Sequence, residues 1–159
     1  MMSEIPVDPA RSALMAKIGP RDTRPEMRVR KLAHAMGLRY RLHRRDLPGK
    51  PDMVFPSRRV ALFVHGCFWH RHPGCKANRL PKTRVDFWEA KFQGNVERDA
   101  RVTAELERRG WTVLVIWECE TRDEDHLRAV LSAIRSRPPA SSQDPGFGQE
   151  RAEAFTSAP

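Results

Sequence analysis

The chain has 159 residues, and its 29 Lys and Arg against 20 Asp and Glu give a formal charge of +9 and a pI near 10.3. That length holds one domain with its own core and is too short for two comfortable ones. No apolar run reaches the roughly 18 residues that would span a bilayer, and the short, mixed-charge N-terminus with Pro6 and Pro9 does not read as a secretory signal. Three cysteines form no disulfide framework, which points to a reducing cytoplasm and to thiolate ligands. The positive field attracts polyanions, nucleic acid being the commonest, while charge alone equally suits solubility or an acidic partner.

Met1 to Pro9 reads as a flexible leader. Ala10 to Ile18 forms a short helix carrying Leu14, Met15 and Ile18 until Gly19-Pro20 stops it. That helix docks on its own domain or, in the sharper version, lies against nucleic acid and inserts Met15. Thr23-Arg24-Pro25-Glu26 starts the next helix, with Thr23 or Arg24 at the cap, Pro25 in the first turn and Glu26 near the positive end of the dipole. Met27, Leu32, Ala33 and Met36 carry its apolar stripe to Gly37. Leu38, Tyr40 and Leu42 alternate with arginines as in a half-buried strand.

After the turn Leu47-Pro48-Gly49-Lys50-Pro51, a short strand opens on Asp52. Pro56 to Arg59 turns the chain back into Val60-Ala61-Leu62-Phe63-Val64, whose unbroken apolar run predicts a central strand, antiparallel to its predecessor and buried on both faces. A long helix spans about Arg84 to Arg109, with Trp88, Phe92 and Val96 at four-residue spacing. Gly94 inside it predicts a close approach, and Gly110 ends it. Trp111 to Trp117 predicts a further buried strand, parallel to the central one because a helix precedes it. Asp123 to Ser136 predicts a last amphipathic helix with Leu127, Val130, Leu131 and Ile134. The single domain therefore runs over 10–137, and the Pro-, Ser- and Gly-rich stretch 138–159 reads as a disordered tail.

His65 to Cys75 is the stretch the rest serves. Eleven residues hold three of the six histidines, two of the three cysteines and the pair Phe68-Trp69. Cys67, His72 and Cys75 are spaced for one loop to wrap an ion, and Cys119 at the end of a strand can close a tetrahedron of the kind zinc favours. His70 competes with His72 as the fourth ligand but is freer to act as a base. Asp52 can hold a hard cation such as Mg²⁺ with the backbone carbonyl of Val64, and His70 or His65 can take a proton from an attacking water. Trp88 is a core residue of its helix or part of a displayed aromatic group, whereas Phe68-Trp69 in a polar loop is hard to place in a core.

Pro51-Asp52, the strand Ala61 to His65 and Gly66-Cys67-Phe68-Trp69-His70 strongly resemble the very short patch repair (Vsr) DNA mismatch endonucleases. Arg21-Asp22-Thr23 with Glu26, Asp86-Phe87-Trp88, Asn95 to Asp99 and Gly110 to Cys119 match the same family in order, so the resemblance covers roughly Met15 to Cys119. It implies an α/β, restriction-endonuclease-like fold related to the PD-(D/E)xK nucleases, with a central mixed sheet flanked by helices and a zinc-braced loop. It also implies a Mg²⁺-dependent endonuclease nicking one strand 5′ to the thymine of a T:G mismatch left by 5-methylcytosine deamination. By that match Asp52 is the magnesium carboxylate, His70 the general base, and Glu26 and His65 support them. Cys67, His72, Cys75 and Cys119 are structural zinc ligands, and Phe68, Trp69 and Trp88 wedge into the duplex while Met15 enters the other groove. The family's associations add mismatch-repair proteins and a repair polymerase as partners of a cytoplasmic, nucleoid-associated monomer. The acid and lysine usual in the wider superfamily are Phe63 and His65 here, Pro73-Gly74 precedes Cys75, and Val64 offers only its carbonyl. The alternatives are an endonuclease of the same fold with another substrate and a zinc-stabilised DNA-binding module that does not cut.

Overall fold

The structure, a computed structural model, describes residues 21–141. The expected helix Ala10 to Ile18 and Met15 lie outside the described residues. Helix α1 (Arg24–Ala35) starts as its sequence dictates. Thr23 caps it by accepting from the Glu26 amide, Pro25 sits in the first turn, and Met36 and the left-handed Gly37 (φ 74) end it. Strand β1 (Met53–Phe55) follows, then a single 3₁₀ turn at Pro56–Arg58 and strand β2 (Val60–His65). Helix α2 (Val85–Arg108) leads into β3 (Thr112–Trp117), and Asp123 caps the last helix, α3 (Glu124–Ser136).

The three strands form one mixed sheet in the order β1-β2-β3, antiparallel then parallel. Alternate residues serve two cores. Met53, Phe55, Val60, Leu62 and Ile116 face Val29, Leu32 and Ala33 of α1 and Leu127, Leu131 and Ile134 of α3. Val54, Ala61 and Phe63 face Leu47, Trp111 and Leu106 of α2. The central strand is thus buried from both sides, as its apolar run predicts. One close approach ties the turn before β1 to α2. A Cβ on Gly49 would lie 2.3 Å from Val102, and its φ of +71 also favours glycine.

Four expectations are corrected. Leu38 to Leu42 forms no strand, only the bridge Arg41↔Val54, because β1 is three residues long and offers one exchanged pair there. Leu38, Tyr40 and Leu42 nevertheless pack on the first core, so their alternation was read correctly. Strand β3 is not fully buried. It has one strand neighbour among the described residues, and Val115 is 38% exposed. Val96 does not continue the inward stripe of α2 and is 42% exposed. Four-residue spacing drifts about 40° per step on a 3.6-residue helix, so two steps carry it off the face. Gly94 meets nothing within 4 Å among the described residues, so no close approach there explains it. After α3 the backbone continues along the domain, where the Ala140 amide donates to the Ser57 carbonyl at 2.8 Å. No helix among the described residues is long and apolar enough to cross a membrane.

Candidate active site

The antiparallel pairing of β1 with β2 brings the residue before β1 to the far end of β2, and there the Val64 amide donates to Asp52 Oδ2 at 2.7 Å. Helix α1 supplies Glu26 to the same place. Glu26 is 5% exposed and is neutralised by Arg30 at 3.0 Å, which also reaches Asp22 at 2.5 Å. Asp52, Glu26, His65, His70 and Asp99 line one cleft of about 690 Å³, together with Arg21, Arg45, Lys50 and Arg98. Burial pushes the Asp52 carboxyl up to about 6, a rise that the Val64 hydrogen bond opposes and the nearby Glu26 reinforces. A carboxylate so poorly compensated within the protein suits an additional cation, and the cleft's oxygen donors are those a hard ion takes.

The two histidines of the cleft form a stacked pair, with ring centroids 3.9 Å apart and planes within 9°. His65 ends β2 beside Trp117, whose ring lies 5.5 Å away. Burial, then the neighbouring His70, lowers His65 to about 4, so it stays neutral near pH 7. His70 Nδ1 lies 2.5 Å from Asp99 Oδ2 of α2. A carboxylate there accepts the Nδ1 proton, fixes the tautomer and leaves Nε2 with a free lone pair. The loop is anchored to the same helix by Asn95, whose amide donates to the Trp69 carbonyl at 3.0 Å.

Arg71 separates the two functional histidines of the loop. Its left-handed backbone (φ 58) turns the chain between them, so His70 enters the cleft and His72 leaves it. His72 joins Cys67, Cys75 and Cys119, and one ligand atom from each lies within 4.8 Å of all the others. His72 Nδ1 is 3.3 Å from the Cys119 sulfur and 3.6 Å from that of Cys67, and its ring stacks on Trp117 at 4.3 Å. Of the two competing histidines, His72 lies with the three sulfurs and His70 lies with His65 and Asp99. Burial pushes the Cys67 thiol up to about 12, while a hydrogen bond from the Ala77 backbone lowers Cys75. Three sulfurs and an imidazole are a donor set suited to a borderline ion, whose charge would hold the thiolates ionised.

The aromatic residues of the loop and of α2 form one cluster. Phe68 packs edge-on against Trp69, Trp88 and Phe92 at 5.1, 5.7 and 5.1 Å. Only Phe92 is buried, and Trp69 remains 37% exposed. Trp88 is half-buried on this cluster rather than enclosed in a core. Two neighbours escaped the sequence reading. Phe87, 46% exposed with Arg84 over its ring at 4.5 Å, extends the aromatic surface. Asp99 is the other, falling on the inward stripe of α2 with Phe92, Val102 and Leu106. An acid interrupting an apolar stripe was the available signal.

Fold and cleft together define the class, a nuclease-like α/β domain with a basic, carboxylate-bearing cleft. Residues 5–76 match the family model for the DNA mismatch endonuclease Vsr. The chain is 53% identical over 124 residues to the Type II nicking enzyme V.XorIIP of Xanthomonas oryzae pv. oryzae, covering 78% of this chain and 90% of that protein. It is 41% identical over 126 residues to the DNA mismatch endonuclease Vsr of Escherichia coli, covering 79% and 80%. The Type II nicking enzyme V.NmeAIP of Neisseria meningitidis is 39% identical over 133 residues, covering 84% and 94%. The chain belongs to the Vsr family of DNA mismatch endonucleases.

Proposed function

We propose that this chain nicks one strand of duplex DNA on the 5′ side of the thymine in a T:G mismatch, the lesion left by deamination of 5-methylcytosine. The observation that carries the reading is the placement of Asp52 and an Asp99-held His70 in one basic cleft. A module that only bound DNA would have no use for that pair. The names of the relatives, a mismatch endonuclease and two nicking enzymes, support it. We read the domain as restriction-endonuclease-like, acting as a monomer on the nucleoid, with residues 10–137 as the folded unit.

Asp52 and the Val64 carbonyl would hold Mg²⁺, which when bound supplies Lewis-acid polarisation of the scissile phosphate. His70 Nε2 accepts the proton of the attacking water while Asp99 keeps the ring oriented and stabilises the imidazolium. His65 stacks on His70 and fixes its plane, and Arg30 holds Glu26 beside Asp52. Arg45, Lys50 and Arg98 attract the phosphate backbone. Cys67, His72, Cys75 and Cys119 would hold Zn²⁺ and so stiffen the loop that bears His70. Phe68, Trp69 and Trp88, with Met15, would enter the base stack beside the mismatch. Unstacking costs a few kcal/mol per step and is cheaper at a mismatch, so insertion itself discriminates.

The test is strand-specific nicking of duplexes carrying one T:G mismatch in varied flanking sequence, for wild type and Asp52→Asn, with Mg²⁺ and with EDTA. Magnesium-dependent cleavage 5′ to the thymine, absent from the variant and from paired DNA, is expected. Binding without cleavage in every context would mark a DNA-binding module, and cleavage of paired or branched controls alone would mark a nuclease with another substrate.

A further inference from the structure

We propose that His65, His70 and Asp99 form a second metal site, which takes one borderline divalent ion of the zinc, cobalt or nickel kind and switches the cleft off. One ligand atom from each of the three lies within 4.8 Å of the other two. Two imidazoles and a carboxylate are a donor set that such ions take in three-ligand sites with an open fourth position. Mg²⁺ prefers oxygen ligands and retains its waters, so the physiological hard ion does not compete well for this set.

The three donors are already gathered in one place. His65 comes from the end of β2 and Asp99 from α2, while His70 rides on a turn closed by its own amide on the Gly66 carbonyl at 3.1 Å. The two imidazoles are stacked within 9° of parallel, so their in-plane lone pairs run side by side and one ring must tilt for both to meet one ion. Metal–ligand bonds of about 2.0–2.1 Å in a tetrahedron require donors about 3.3 Å apart. The 2.5 Å His70–Asp99 contact must open slightly and the widest pair must close. The ion takes the place of the Nδ1 proton that His70 donates to Asp99, and that proton is transferred to Nε2, so the ring stays neutral. All three residues are half-buried, which leaves solvent a path to the open position. The sulfur-containing set lies on the other side of the Arg71 turn and shares no ligand with this one.

The inhibitory consequence rests on His70 being the base proposed above, because an ion on Nδ1 leaves the ring's one proton on Nε2, where no lone pair then remains to accept another. Binding itself does not depend on that reading. The experiment titrates Co²⁺ into full-length protein whose Cys67–His72–Cys75–Cys119 set is already filled with Zn²⁺, and follows visible d–d absorption alongside nicking in excess Mg²⁺. One further Co²⁺ per chain is expected, without thiolate-to-cobalt charge transfer in the near ultraviolet. Its affinity should fall by at least about a hundredfold in His65→Ala and in Asp99→Asn, since even an outer-shell partner is worth ten- to hundredfold. Asp99→Asn keeps the size and shape of a half-buried side chain, so it serves should His65→Ala fail to fold. Asp52→Asn should bind the ion as wild type does. Nicking should fall as the site fills and return when the ion is removed, with DNA retention unchanged. No additional ion, an ion lost in Asp52→Asn but kept in Asp99→Asn, or a filled site with undiminished nicking would overturn the proposal. A filled site in a protein that never nicks would leave the metal site standing and overturn the nuclease reading instead.

Discussion

Two constellations hang on one loop, and they differ in what surrounds their donors. The Cys67–His72–Cys75–Cys119 set is closed on itself. One donor atom from each lies within 4.8 Å of the others, with Cys67 1% exposed, His72 stacked on Trp117 and Cys119 exposed at the edge. The Asp52–His70 cleft is open, about 690 Å³ in volume, with its carboxylates and imidazoles spread around the wall. A closed set suits a brace and an open one suits exchange of water, phosphate and product. Arg71, the one residue between His70 and His72, divides them with its left-handed backbone. Similar ligand types thus sit in a compact set on one side of the turn and around an open cleft on the other.

The largest effect should come from breaking the closed set. Cys67→Ser removes a buried ligand, and it should cost a large part of the roughly 5–15 kcal/mol that holds a domain folded. Thermal unfolding and metal content should fall together, and an unchanged melting temperature would show that the set is no brace. The open cleft predicts the opposite sign. Burial raises Asp52 from 3.8 to about 6, so between those values the folded chain keeps a proton that the unfolded chain has released. Stability therefore falls as pH rises through that window. Without added metal, Asp52→Asn should recover up to about 3 kcal/mol at pH 7 and nothing below pH 4, while nicking is lost. Denaturant melts at the two pH values would decide it, and equal effects at both would contradict the burial argument.

Asp99→Asn tests whether the cleft is built by positioning. It should lower kcat for nicking by about ten- to hundredfold, with KM for DNA little changed and partial recovery in Asp99→Glu. A change confined to KM would make Asp99 a DNA contact instead. The smallest effect should come from Gly94→Ala, which adds a methyl to open space on α2 and should stabilise the protein by about 0.5–1 kcal/mol. If its stability rises but mismatch affinity drops, the helix approaches DNA closely at that point. If both are unchanged, the glycine has no role in either region.

Much of this was legible in one dimension. Helix caps at Thr23 and Asp123, the two-faced burial of Val60 to Phe63 and the wealth of Cys and His in one loop are local properties, set by residues a few positions apart. So are the net charge and the ligand types. The sequence by itself therefore determined the element order, the basic character and the chemistry each side chain can offer. Tertiary structure decided who meets whom. His70 finds Asp99 across 29 residues only because α2 is rotated to aim that stripe at the end of β2. Val96 and Gly94, on the same helix, are turned outward by the same rotation. Which histidine faces the cleft and which faces the cysteines turned on the backbone sign of Arg71, a non-glycine residue whose left-handed conformation no local preference announces and only its packed surroundings enforce.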